Sequence, residues 1–168
     1  MGKIWLIGMM GSGKSTVAPL VGSLLGWDAL DTDVEIGRAR RRPIPEWFPG
    51  DVAEFRAAER TVTLETARDP GDLVVACGGG VVLDPESVAA MRGSGLVVWL
   101  DAPVPVLEAR IGAGEGRPLL GGDASTALDT ILGARLDLYR TAAHAVVSAV
   151  VAPGIVAEAV VAAWRNWS

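Results

Sequence analysis

Near the amino terminus, Gly8-Met9-Met10-Gly11-Ser12-Gly13-Lys14-Ser15 follows the spacing G-x-x-x-x-G-K-[ST]. The apolar run Lys3 to Gly8 precedes it as a buried strand, and Val17 to Leu25 follows as a helix closed by Gly26. In that setting the chemistry is phosphate binding. Glycines let successive backbone N–H groups turn inward onto phosphate oxygens, and the helix N-terminus adds partial positive charge there. Lys14 supplies a point charge for the β- and γ-phosphates, and the Ser15 hydroxyl is a ligand for Mg²⁺. Of 15 basic residues only Lys3 and Lys14 are lysines, so a lysine at this position is not background. A glycine-rich turn without a ligand is the competing reading, and both flanks oppose it.

Phosphate binding gives a nucleotide but no reaction, so further polar residues matter. Asp31-Thr32-Asp33 closes a second short strand, at the edge where open α/β sheets bind ligands. One carboxylate can serve a metal's water shell and the other accept a proton from an attacking hydroxyl. Spacing alone also fits a helix cap plus a solvated charge. Arg56 and Glu59, three apart on a helix, pair on one face, as ordinary surface pairs also do. Gly78-Gly79-Gly80 after a buried strand suits close approach of backbone to a ligand, or a tight turn. Arg117 is placed to clamp a transferring phosphoryl group, with a solvated loop arginine as the alternative. Arg135 and Tyr139, four apart, cannot be told from surface residues by spacing. Cys77 reads as a small packed residue, Arg40-Arg41-Arg42 as a solvated helix face, and His144 as a dipole-favoured helix-terminal cation. Trp47, beside Phe48 and shortly before Phe55, is the tryptophan nearest this chemistry.

The elements that must position these groups alternate. Strands are expected at 3–8, 29–31, 73–76, 96–100 and 145–151, and helices at 17–25, 34–42, 51–68, from 84, 104–111, 127–143 and 155–167. Gly112 to Asp123 is glycine-rich and reads as a mobile loop around Arg117-Pro118. Apolar strands without polar alternation, separated by helices, imply a parallel sheet covered on both faces. With 168 residues, 50% of them hydrophobic and 21% charged, the chain is sized for one globular domain with its own core. The single cysteine excludes an internal disulfide and a cysteine-based zinc site. A net charge of −5 opposes non-specific nucleic-acid binding. Mean hydropathy is +0.35, but the uncharged stretch from Ala145 to Ala157 is too short for a bilayer and is broken at Pro153-Gly154. No signal-peptide pattern opens the chain, so a cytoplasmic enzyme is expected; a monomer acting on small molecules is expected as well.

Together these residues resemble the shikimate kinase family over nearly the whole chain, in the family's order. The matching elements are Gly8 to Thr16, Asp31-Thr32-Asp33, Phe55-Arg56 with Glu59, Gly78-Gly79-Gly80, Arg110, Arg117-Pro118-Leu119-Leu120, and Arg135 with Tyr139. The first of these is generic; the combination is specific. The resemblance implies an α/β P-loop kinase fold like that of nucleoside monophosphate kinases, three-layered around a five-stranded parallel sheet. It implies one domain over 1–168, with a substrate-binding segment at about 33–60 and a lid at about 112–123. The implied reaction is ATP-dependent phosphorylation of the 3-hydroxyl of shikimate, in aromatic amino acid biosynthesis, with Mg²⁺. By the same resemblance Gly11, Ser12, Gly13, Lys14, Ser15 and Thr16 hold the nucleotide, and Arg110 and Pro153 sandwich adenine. Arg117 reaches both ligands. Asp33, Arg56, Gly78, Gly79, Gly80 and Arg135 hold shikimate, the two arginines on its carboxylate and Asp33 on its hydroxyls. Ser15 and Asp31 serve Mg²⁺, while Lys14, Asp33 and Arg117 carry the catalysis.

Some positions depart from the family. Gly50 to Glu54 is one residue short before Phe55, Gly37 and Arg41 replace a common Glu and Gly, and Ala18-Pro19 replaces Gly-Arg. Pro19 removes a helical N–H, so a kink is expected there. None of these positions is assigned to chemistry. The alternative enzyme reading is a kinase for another hydroxy acid or cyclitol such as gluconate, which predicts different residues at 56 and 135. A nucleoside monophosphate kinase is disfavoured on the same ground. A regulator that has lost catalysis would be expected to lack Asp33 or Arg117, and a GTPase would carry an Asn-Lys-x-Asp motif, which is absent.

Overall fold

The structure is a computed structural model and describes residues 2–48, 50–112 and 124–167. Arg117 and most of the 112–123 segment lie outside the described residues. Five strands, β1 (Lys3–Ile7), β2 (Asp28–Asp31), β3 (Leu73–Ala76), β4 (Gly95–Asp101) and β5 (Ala145–Ser148), form one sheet in the order β2-β3-β1-β4-β5. Every pairing is parallel; β1 lies between β3 and β4, with Leu6 beside Ala76 and Val98. Among the described residues, seven α-helices accompany the sheet: α1 (Lys14–Leu25), α2 (Thr32–Arg40), α3 (Val52–Arg68), α4 (Pro85–Ser94), α5 (Val104–Gly112), α6 (Ala124–Ala142) and α7 (Pro153–Trp167).

The strand pattern follows position in the sheet. Every residue of central β1 is buried, as expected of a strand covered on both faces. Edge strand β2 has an exposed start, and β5 exposes Val146. β5 is also shorter than its apolar run: it ends at Ser148 because its neighbour β4 ends at Asp101, which accepts a last bond from the Ala149 N–H. At the other end of the sheet, buried Lys3 is structural. Its Nζ donates to the carbonyls of Asp69 and Gly71, fastening the α3–β3 connection to the start of β1.

α1 begins at Lys14, three residues before the apolar periodicity suggests. Gly13 precedes it in the left-handed region at φ 92°, as Gly11 does at φ 81°; only glycine adopts these values at little cost. The helix runs through Pro19 to Leu25. α2 likewise starts early, at Thr32, because Asp31 caps it by accepting from the N–H groups of Asp33 (3.0 Å) and Val34 (3.3 Å).

A second, smaller core lies apart from the sheet. Ile36, Trp47, Phe55 and Ala58 pack together under α2, a 3-10 turn at Ile44–Trp47, and α3. Phe55 stands edge-on to Trp47 at 6.0 Å and against Phe48 at 5.3 Å. The Arg40-Arg41-Arg42 run is not uniformly solvated: Arg42 lies over the Trp47 ring at 4.7 Å and pairs with Asp51 at 2.7 Å.

His144 corrects the expectation drawn from its place after a helix. Its Nδ1 accepts the Val97 N–H at 3.0 Å, and its own N–H donates to the Val97 carbonyl at 2.8 Å. A cation does reach the α6 C-terminus, from outside the helix: Arg92 donates to the Thr141 and Ala142 carbonyls. An accepting imidazole is neutral at that nitrogen, and burial, with Arg92 nearby, holds the His144 pKa below its usual value. A depressed folded pKa gives stability that is present above the ordinary imidazole pKa of about 6.5 and lost as pH falls through the folded value. The melting midpoint should therefore fall more on acidification from about pH 7 to 5 in the wild type than in His144→Gln, which keeps an acceptor without titrating. Parallel curves would show that His144 contributes nothing to acid sensitivity.

Candidate active site

All carboxyl ends of the parallel strands face one side, and β1 is the point where the chain turns to opposite edges, so a crevice opens above it. A cleft of about 650 Å³ occupies that position. Its walls include every candidate among the described residues: Gly11 to Thr16, Asp31, Asp33, Arg56, Gly78 to Gly80, Arg110, Arg135 and Pro153.

The first wall is the Gly8–Lys14 loop with the N-terminus of α1. Buried Lys14 donates through Nζ to the carbonyls of Gly8 and Met9, each at 2.8 Å, and lies 3.4 Å from Ser12 Oγ. The ammonium thus sits inside the loop at the helix end where anions bind. Ser15 Oγ donates to Asp31 Oδ2 at 2.5 Å. Asp31 is therefore both the helix cap and the partner of the loop serine, one oxygen for each task. A hydroxyl beside a carboxylate is a hard-oxygen pair that fits a divalent cation keeping most of its water.

The second wall joins α2 and α3 to the triple glycine. Thr32, between the two aspartates, accepts the Gly78 N–H at 3.1 Å and so ties the end of β2 to the end of β3. Arg56 donates to Glu59 Oε2 at 2.7 Å; Glu59 is 3% exposed, and its Oε1 has no hydrogen-bond partner among the described residues. Burial pushes the Glu59 carboxyl above its usual pKa, against the opposing pull of Arg56.

Two of the three glycines leave room for a specific group. A Cβ on Gly78 would overlap Glu59 Oε1 and stand 2.9 Å from Asp33 Oδ1, and one on Gly80 would overlap the Arg56 guanidinium. A Cβ on Gly79 would make ordinary contacts only, with Gly8 O at 3.4 Å, Met10 N at 3.5 Å and Arg135 Nη1 at 3.6 Å. The turn is thus the meeting point of both aspartate-bearing and arginine-bearing elements with the phosphate loop. Arg135, nearly buried on α6, closes this wall.

At the open end, Arg110 donates to Ala149 O at 2.6 Å and Gly11 O at 3.3 Å, with Pro153 across the mouth. Burial raises the Cys77 thiol pKa steeply, so that residue stays a protonated packing group at the cleft edge. Sequence reasoning missed Phe48 and Ile44 on the cleft wall, watching instead Trp47, which points into the small core. It also missed Thr32 as a tie, since a hydroxyl between two aspartates carries no periodic signal.

A strand–glycine loop–helix, an acidic strand end and converging cations on an all-parallel sheet define a P-loop phosphotransferase. The shikimate kinase family model matches residues 10–164. A shikimate kinase of Synechococcus elongatus is 42% identical over 141 residues, covering 83% of this chain and 73% of the relative. The solved shikimate kinase of Acinetobacter baumannii, in complex with shikimate, superposes with a TM-score of 0.92 at 30% identity, covering 100% of this chain and 95% of that one. A gluconokinase of Sinorhizobium meliloti, at 20% identity and a TM-score of 0.71 over 99% and 93% of the chains, shares the fold alone. The chain belongs to the shikimate kinase family. Among the described residues, no helix is long and apolar enough to cross a membrane.

Proposed function

We propose that the chain transfers the γ-phosphoryl group of ATP to the 3-hydroxyl of shikimate. The observation that carries this reading is the convergence of Arg56, Arg135 and Asp33 on Gly78–Gly80, directly against the phosphate loop. A small ring acid needs planar, forked donors for its carboxylate and an acceptor for its hydroxyls, and this wall supplies both. In this reading Arg56 and Arg135 bind the carboxylate, Asp33 orients the attacking hydroxyl and accepts its proton, and Lys14 meets the phosphates. Arg110 and Pro153 flank the base. Arg117, outside the described residues, is proposed on sequence grounds as a further cation for the transferring group. Ser15 and Asp31 would hold Mg²⁺, which when bound neutralises phosphate charge. Positioning and charge supply most of the rate in such transfers. The proposal extends to a monomer working in the cytoplasm.

A coupled ADP-release assay across shikimate, gluconate and nucleoside monophosphates tests the reading. Shikimate should stimulate turnover far above the others, and EDTA should abolish it. Preference for gluconate or a monophosphate would overturn the assignment.

A further inference from the structure

Tyr139, the only tyrosine, has no part in the chemistry above, yet its surroundings are specific. Its ring is fully buried and stacks on Trp99 of β4, with centroids 5.7 Å apart and planes 17° from parallel. Its hydroxyl donates to the Gly79 carbonyl at 2.6 Å. Gly79 is the middle residue of the turn, and its Cα hydrogen side faces the Gly8 and Met10 backbone together with the Arg135 guanidinium. Arg135 and Tyr139 are one helical turn apart on α6, hence on one face. The phenol pKa is pushed up to about 12, chiefly by burial and against the pull of the nearby Arg135 charge. The hydroxyl therefore keeps its proton, commits it to Gly79, and leaves its lone pairs on the side of a cation.

We propose that Tyr139 is a positioning residue: its hydroxyl, braced by Trp99, locks α6 to the glycine turn and so sets where the Arg135 guanidinium stands relative to the phosphate loop. The proposal rests on reading Arg135 as a clamp for the substrate carboxylate. A tyrosine serving packing alone would need only its ring. The hydroxyl instead joins two elements distant in sequence at the point where the carboxylate clamp meets the loop that holds the phosphates. Without it, α6 would still pack on β4 through the aromatic stack, but its tie to the turn would be lost, the guanidinium would sample more positions, and binding of the acid would weaken before the nucleotide side changed.

The test is steady-state kinetics on Tyr139→Phe, Arg135→Ala and the double variant, with melting curves for each. Tyr139→Phe keeps the ring and the stack, so folded protein is expected. Its KM for shikimate should rise about tenfold, the equivalent of one lost polar contact of about 1.4 kcal/mol. KM for ATP should stay within about twofold, and kcat should fall less than KM rises. In the Arg135→Ala background, Tyr139→Phe should add little, because both act through one group. Purely structural tyrosine would give a lower melting midpoint with an unchanged KM for shikimate, and that result overturns the proposal. So does an equal effect of Tyr139→Phe with and without Arg135. If Arg135→Ala itself leaves KM for shikimate unchanged, the clamp reading fails and this inference with it; if only Tyr139→Phe is silent, the clamp stands and the tyrosine's role falls.

Discussion

Asp33→Asn should lower kcat by about 10²–10⁴-fold, the usual worth of a positioned base, while the protein stays folded. The backbone beneath it is fixed: the Asp33 N–H donates to the Asp31 cap, in the first turn of α2. Its Oδ1 is buried above Gly78, on the same side as Glu59 Oε1. Asparagine has the same shape but offers an amide that cannot take a proton from the attacking hydroxyl. Glu59 is no substitute. Its other oxygen is committed to Arg56, and burial already disfavours its ionised form. The substitution also removes the repulsion that Asp33 adds to that burial effect, so Glu59 should ionise more readily in the variant. ADP release at saturating shikimate gives kcat, and a melting curve guards against unfolding. An Asp33→Asn enzyme with wild-type turnover would exclude the base role and leave Asp33 a hydroxyl-orienting group at most.

How much of this was legible in the chain depends on the range of the interaction. The phosphate loop was, because local spacing dictates its backbone: Gly11 and Gly13 occupy left-handed conformations, and Lys14 follows at the helix start. The parallel sheet was, because buried strands are apolar on both faces, as β1 and β4 are. Edges were less so. The run Ala145 to Val151 promised seven strand residues, but strand length is set by the neighbour, and β4 stops first. The helix starts at Lys14 and Thr32 came early because the left-handed Gly13 turn and the Asp31 cap, not apolar periodicity, decide them. Long-range polar choices were hidden. Nothing local to His144 signals that it accepts a hydrogen bond from Val97, and nothing local to Tyr139 signals the Gly79 carbonyl 60 residues away. Of the readings held open at Asp31-Thr32-Asp33, the helix cap is realised by Asp31 Oδ1, while Asp31 Oδ2 accepts from the Ser15 hydroxyl. At the triple glycine, the side chains of Asp33, Arg56 and Glu59 occupy the space that Cβ atoms on Gly78 and Gly80 would take, a long-range requirement that spacing alone does not show.

Lys14→Met should cost about 10²–10³-fold in kcat, comparable to losing one preorganised donor from a site of developing charge, and should weaken ATP more than shikimate. The ammonium is buried within the loop and donates to the carbonyls of Gly8 and Met9. It has two tasks in consequence. Without nucleotide it draws the loop's carbonyls together, keeping the cradle in shape for phosphate. In the proposed reading its charge would meet the β- and γ-phosphates at the helix end, and no other lysine is near, since Lys3 is spent on the Asp69 and Gly71 carbonyls. Methionine fills a similar volume but leaves two carbonyls without that donor, so a loss of about 1–3 kcal/mol is expected, a drop of several degrees in melting midpoint at this chain length. Lys14→Arg should not restore turnover, because a planar fork cannot replace a compact ammonium between two carbonyls 2.8 Å away. Calorimetric titration with shikimate separates the two sides of the cleft. Its affinity should be nearly unchanged in Lys14→Met, because Arg56, Arg135 and Asp33 stand on the other wall. Turnover of Lys14→Met within tenfold of the wild type, or a loss of shikimate affinity as large as that of ATP, would remove the lysine from the transfer and return it to holding the loop.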